Sequence, residues 1–191
     1  VKKILILDNN DSFSHNLRHL LRMGGKHQVD VVPSQDYAME LALTYDALAL
    51  SPGPGLPDDH VNLKKAILEM TGKRPIWGVC LGHQAIAEAF GASLFNLPNV
   101  LHGIKSVVTI TDSNGLWQGI TNPEPVGRYH SWMVDEKTLP PQLVISSRDS
   151  EGRIMSFYHR EYPIFGVQFH PESFMTNQGY LLAQNFINRF I

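Results

Sequence analysis

An α/β fold is predicted by this sequence: an open, mixed and mostly parallel sheet with helices on both faces, plus a small antiparallel β part. Two observations carry the prediction. From Lys3 to Phe90, short apolar runs alternate with segments of helical spacing, the pattern of parallel strands joined by crossover helices. After Gly91 the texture changes to short strands separated by turns, with one helical segment at the end. Size adds a bound. A chain of 191 residues, 43% hydrophobic and 18% charged, has the composition of an ordinary globular protein with one sizeable core, so residues 1–191 read as a single domain.

Lys3 to Leu7 is an apolar strand that ends at the polar cluster DNNDS, and Phe13 to Arg22 follows as a helix whose apolar side is Phe13, Leu17, Leu20 and Leu21. Gly24 and Gly25 end that helix. Val29 to Val32 forms the second strand and Asp46 to Leu50 the third, after a weaker helical segment at Tyr37 to Leu43. Next comes Ser51-Pro52-Gly53-Pro54-Gly55-Leu56-Pro57, too rich in proline and glycine for a regular element. It is a rigid loop at the C-terminal end of a parallel strand, where open α/β sheets place ligand sites. Asn62 to Met70 is the next helix, and Pro75 to Val79 a short buried strand. Beyond Gly91, strands are expected at Ser106–Ile110, Val126–His130, Leu143–Ser147, Arg153–His159 and Ile164–Phe169. Gly179 to Phe190 closes the chain as a helix with an apolar face of Leu182, Phe186, Ile187 and Phe190.

Chemistry concentrates at Ile76 to Ala87, IWGVCLGHQAIA, where a buried strand turns at once into a helix. The one cysteine of the chain, Cys80, sits at that turn with Gly78 and Gly82 two residues to either side. This is the pattern of a nucleophile elbow, in which glycines relieve crowding around a strained turn and leave the nucleophile above the sheet. A helix N-terminus beside a thiol favours the thiolate and offers free N–H groups to an oxyanion. Taken alone, a lone cysteine is as readily a small buried filler. The rest of the chain argues against that. In Gly166-Val167-Gln168-Phe169-His170-Pro171-Glu172 another apolar strand ends at a base followed by a carboxylate. If both strands share one sheet, Cys80, His170 and Glu172 meet at one edge as nucleophile, base and orienting acid.

Sixteen Lys and Arg against eighteen Asp and Glu leave no basic footprint for nucleic acid or an anionic membrane. No stretch approaches the roughly 18 uninterrupted apolar residues of a membrane span, and the opening VKKILILDNND reads as a strand, not a secretory signal. A cytoplasmic location is expected, a single cysteine suiting a reducing compartment. No metal-ligand spacing of the HEXXH or CXXC kind occurs, so neither a metal nor another cofactor is expected.

Together GVCLGHQ at Gly78 to Gln84, SPGPG at Ser51 to Gly55, RYHS at Arg128 to Ser131 and GVQFHPES at Gly166 to Ser173 resemble the class I glutamine amidotransferases, a flavodoxin-like fold. The opening DNNDSFSHN, the Leu101-His102-Gly103 stretch and the length resemble, more narrowly, the component II subunits of anthranilate synthase and aminodeoxychorismate (p-aminobenzoate) synthase. The resemblance spans essentially the whole chain and leaves no room in it for a synthase domain. It implies that Cys80 is the nucleophile, His170 the general acid/base and Glu172 its orienting partner. It further implies an oxyanion hole from the N–H groups of Gly53 and Leu81. Glutamine contacts carry over to Gly53, Pro54, Gly55, Gln84, Ser131 and Trp132, those of Ser131 and Trp132 largely through backbone. The implied substrate is L-glutamine, hydrolysed to glutamate. The implied partner is a chorismate-binding component I synthase that receives the ammonia for tryptophan or folate biosynthesis. Trp132 and Met133 stand where many relatives carry leucine and valine, and Asn10 where an aromatic residue is common.

Two other readings use the same residues. A stand-alone cysteine γ-glutamyl hydrolase needs the same triad without a partner. A non-enzymatic α/β module would use Cys80 as an oxidisable sensor and make His170 and Glu172 coincidental. The length, the SPGPG loop and the DNNDSF opening favour the amidotransferase component over both.

Overall fold

A computed structural model describes all residues, 1–191. Nine strands and five helices follow one another along the chain. The first half contains β1 (Lys3–Asp8), α1 (Ser14–Arg22), β2 (Gln28–Pro33), α2 (Met39–Ala42), β3 (Ala47–Leu50), α3 (Leu63–Met70), β4 (Ile76–Val79) and α4 (Leu81–Ala89). The second contains β5 (Leu94–Ile110), β6 (Glu124–Val134), β7 (Leu143–Arg148), β8 (Ile154–His159), β9 (Ile164–Val167) and α5 (Gly179–Phe190). The strands form one sheet in the order β2-β1-β3-β4-β9-β8-β7-β5-β6. From β2 to β9 neighbours are parallel, and from β9 onward they are antiparallel. This is the mixed sheet that the change of texture after Gly91 predicts.

Side chains alternate across the parallel strands and so divide the core into two layers. Ile4, Ile6, Ala47, Ala49, Trp77 and Val79 face α1 and α5, meeting Leu17, Leu21, Leu182 and Phe186. Leu5, Leu7, Leu48, Leu50 and Ile76 face the other way, meeting Leu63, Ile67, Ala85 and Ile86 of α3 and α4. Helices therefore cover both faces. Strands buried on both sides read as unbroken apolar runs, and β3, β4 and β9 are buried at every position.

The main departure from the sequence reading is β5. The apolar pattern predicts only Ser106–Ile110 of its 17 residues, because Pro98 and Gly103 interrupt it and most of the strand is exposed. The register against β6 shifts between Asn96 and Leu101 and again between His102 and Ile104, and these irregularities absorb both residues. A smaller departure is that α4 starts at Leu81, whereas apolar side chains at helical spacing mark a helix only from His83 to Phe90, since a glycine in the first turn weakens the helical signal. No helix is long and apolar enough to cross a membrane.

Candidate active site

At the end of β4 the backbone turns sharply. Cys80 takes φ 52° and ψ −100°, a left-handed conformation that costs a non-glycine residue on the order of 1–3 kcal/mol. The surroundings fix it there: its N–H donates to Val167 O at 2.8 Å and its carbonyl accepts the Gln84 N–H at 3.1 Å, the first bond of α4. The flanking glycines are sterically required. A Cβ on Gly78 would lie 2.5 Å from the Gly82 carbonyl, and one on Gly82 would lie 2.6 Å from Leu50 O. Elbow and neighbouring strand are thus in direct backbone contact.

The proline- and glycine-rich loop leaves the adjacent strand β3. Asn9, at the end of β1, clamps its first residue from both sides: the Asn9 N–H donates to Ser51 Oγ and the Asn9 side-chain amide to Ser51 O, each at 2.9 Å. Gly53 then packs so closely that a Cβ there would lie 2.5 Å from Leu81 Cδ2. Leu81, as the first residue of α4, has an N–H with no acceptor inside the helix.

From the other side comes the chain leaving β9, which pairs with β4 so that Val79 lies opposite Val167. His170 is anchored through its backbone, its N–H donating to Gly127 O at 2.9 Å and its carbonyl accepting Thr176 Oγ1 at 2.6 Å. Its Nδ1 meets Glu172 Oε1 at 2.6 Å, with both side chains buried. The rings of Phe13 and Tyr129 pack against the imidazole at centroid distances of 5.0 and 4.8 Å. Burial pushes the His170 pKa down, but the facing Cys80 and Glu172 outweigh it and hold the imidazole well above its ordinary value. The cationic ring is therefore the favoured form.

The cavity in front of Cys80 has a volume of about 220 Å³ and is lined by Gly53, Pro54, Gly55, Cys80, Gln84, Tyr129, His130, Ser131 and Trp132. That is smaller than the roughly 300–1,000 Å³ of drug-sized sites and suits a small metabolite. Each glutamine-contact residue expected from the sequence lines it. Leu81 does not line it, and its side chain packs behind Gly53. His170 and Glu172 do not line it either; His170 faces Cys80 directly, with Glu172 at its other nitrogen.

Behind the Tyr129–Trp132 stretch of β6 lies a buried ion pair. Arg128 donates to Asp149 Oδ2 at 3.0 Å, and Arg153 donates to the same oxygen at 2.9 Å. The Arg128 Nε–H points at His130 Nε2, 3.1 Å away, which leaves His130 Nδ1 to donate to Trp132 O at 3.1 Å. Burial and the adjacent Arg128 hold His130 down at about 3, so it is neutral. Burial likewise pushes His83 down to about 3, where it stacks on Phe157. The sequence pattern assigns no role to Tyr129, His130, Phe13 or Gln168. Of these, Gln168 carries a signal, as a polar residue inside the apolar run GVQF.

Fold and site define an α/β protein with a strained cysteine at a strand-to-helix elbow, facing a histidine–carboxylate pair and opening onto a small cavity. The family model described as glutamine amidotransferase class-I matches residues 5–190, and the chain belongs to that family. It is 42% identical over 187 residues to aminodeoxychorismate synthase component 2 of Klebsiella aerogenes, covering 97% of this chain and 100% of that one. It is 39% identical over 191 residues to aminodeoxychorismate/anthranilate synthase component 2 of Bacillus subtilis, covering 98% and 96%. Among solved structures, a Thermoplasma acidophilum protein provisionally described as one chain of a GMP synthase superposes with a TM-score of 0.86 at 29% identity, over 98% of this chain and 92% of that one.

Proposed function

We propose that this chain is a single-domain glutaminase subunit that hydrolyses L-glutamine and passes the ammonia to a chorismate-using synthase making anthranilate or aminodeoxychorismate. The observation that supports it most is the juxtaposition of Cys80, the His170–Glu172 pair and the cavity lined by Gly53, Gln84 and Ser131. The names of the relatives supply the destination of the ammonia, and they include both products.

The chemistry follows from the site. The Cys80 thiolate attacks the side-chain carboxamide carbon of glutamine, and the oxyanion that forms is held by the N–H groups of Gly53 and Leu81. His170, cationic at this point, gives its proton to the departing nitrogen, so ammonia leaves and a γ-glutamyl thioester remains. The imidazole, now neutral and kept in place by Glu172, takes a proton from water as the water attacks the thioester carbon. Glutamate departs, and thiolate and imidazolium are restored. Nothing in this sequence of steps requires a metal or another cofactor. Ammonia released into water would be protonated and lose its nucleophilicity, which is why a partner has to receive it directly.

The test uses the complex with a chorismate-using synthase chain. Cys80→Ser should abolish synthesis from glutamine while leaving synthesis from added ammonium salt at moderately alkaline pH, and wild-type glutaminase turnover should rise on binding the partner. A stand-alone hydrolase would turn over fast by itself, and a redox module would show no glutaminase at all. Equal loss of both syntheses in a folded, partner-binding variant would refute the division of labour.

A further inference from the structure

The side chain of Gln168 has no part in the reaction as described, yet it lies wholly buried beside the nucleophile. Its Nε2 is 3.7 Å from Cys80 Sγ, and its Oε1 accepts from Gln84 Nε2 at 3.2 Å. Gln84 Nε2 also donates to Trp132 O at 2.8 Å, so both of its hydrogens are committed. That fixes the direction of the whole chain of bonds. Turning the Gln168 amide over would set its NH₂ against that of Gln84 and aim a carbonyl oxygen at the sulfur.

The same Trp132 carbonyl accepts from His130, whose other nitrogen takes the Arg128 N–H. A continuous path of oriented hydrogen bonds therefore runs from the buried Arg128–Asp149 pair, through the strand that lines the cavity, to the thiol. Resting on the assignment of Cys80 as nucleophile, we infer that Gln168 is a positioning residue: its amide donates to the Cys80 sulfur, stabilises the thiolate and ties the sulfur's position to the Trp132 segment of the glutamine site. The charged group opposite the sulfur is His170, backed by Glu172. His130 and His83 are neutral, and Arg128 is balanced by Asp149. Gln168 is thus the neutral donor to the sulfur from a second direction. A donor to a charged sulfur is worth about a factor of ten in the thiolate equilibrium.

The experiment measures the rate of Cys80 alkylation by iodoacetamide against pH, in wild type, Gln168→Met and Gln168→Glu. Methionine keeps the volume and removes the donor. Glutamate keeps an acceptor for Gln84 but offers only a carboxylate to the sulfur. At neutral pH the Met variant should react about tenfold more slowly, with its profile displaced by about one unit to higher pH and full reactivity recovered there. The Glu variant should be displaced further, because its charge opposes that of the thiolate. Variants whose profiles superimpose on wild type would overturn the inference. Loss of reactivity that alkaline pH does not restore would also overturn it, by assigning Gln168 a merely structural part. If neither variant folds, NMR on isotope-labelled wild type decides: blocking the thiol should shift the Gln168 side-chain amide protons, and unmoved resonances would refute the contact. The parent assignment fails separately, if wild-type protein with Cys80 fully alkylated retains its glutaminase activity.

Discussion

Strands β4 and β9 lie side by side and each delivers one half of the site, but by different means. Where β4 ends the structure is made of backbone: a cysteine held at φ 52°, two glycines in contact with neighbouring main chain, and the free end of a helix. Where β9 ends it is made of side chains: an imidazole gripped by a carboxylate and enclosed by two aromatic rings, bridged to β6 and the buried ion pair behind it. The backbone half stores strain and positions the sulfur and the N–H groups around it. The side-chain half stores charge and sets protonation states. Mutations should therefore damage the two halves in distinguishable ways.

The largest effects should come from the reacting groups. Cys80→Ala and His170→Ala should each lower glutaminase kcat by about 10⁴-fold or more, whereas Glu172→Ala should retain at least tenfold more activity than His170→Ala, in line with typical losses of nucleophile, base and orienting group. Steady-state glutaminase assays on folded variants check this, and equal losses in the His170 and Glu172 variants would contradict the roles given to them.

Next in size is the charge stored behind β6. Asp149→Ala leaves the Arg128 guanidinium buried without its counter-charge, and should cost about 3–5 kcal/mol in urea unfolding. A cost below about 1 kcal/mol would mean that Arg128 finds solvent instead.

Titration should separate the halves further. His83 and His130 are held at about 3 in the folded chain, below the unfolded value of about 6.5, so the unfolded state binds protons first as pH falls. Stability should then drop between pH ~6.5 and ~3, each histidine contributing up to ~1.4 kcal/mol per pH unit. His170 runs the other way: its raised value makes a contribution that is fully present below ~6.5 and lost as pH rises through the folded pKa. Thermal melts across pH test the first statement, through a smaller acid slope in His130→Asn. The raised His170 value is tested by the glutaminase profile, in which the loss of activity that comes from His170 deprotonation should lie on the alkaline side, not near the ordinary histidine value.

The smallest effect concerns the strain at the elbow. Cys80→Gly should be more stable than Cys80→Ala by about 1 kcal/mol, since glycine adopts positive φ freely, whereas in a relaxed helix or strand it would be less stable than alanine. A Cys80→Gly variant less stable than Cys80→Ala would remove the claim of strain.

The same contrast explains what could be read from the sequence. The elbow was legible because its requirements are local: Gly78 and Gly82 crowd each other through one turn of chain, and the proline–glycine loop announces itself. His170 and Glu172 were legible as a pair for the same reason. Their meeting with Cys80 depends on β9 inserting beside β4, which the pattern of apolar runs suggests but does not dictate. The Arg128–Asp149–Arg153 cluster could not be read, since Asp149 sits in a stretch that looks like an ordinary turn and meets Arg128 only through the register of distant strands. The length of β5 was hidden by Pro98 and Gly103, which a bulged and largely exposed strand accommodates.

The central claim is that glutamine's carboxamide carbon is delivered to Cys80 in the cavity between the two halves. Incubating the protein with a diazoketone analogue of glutamine, followed by peptide mass spectrometry, tests this most directly. One equivalent of label should be found on Cys80, glutamine in excess should block it, and glutaminase activity should fall in proportion to labelling. Label on another residue, or label on Cys80 that glutamine does not slow, would contradict the account.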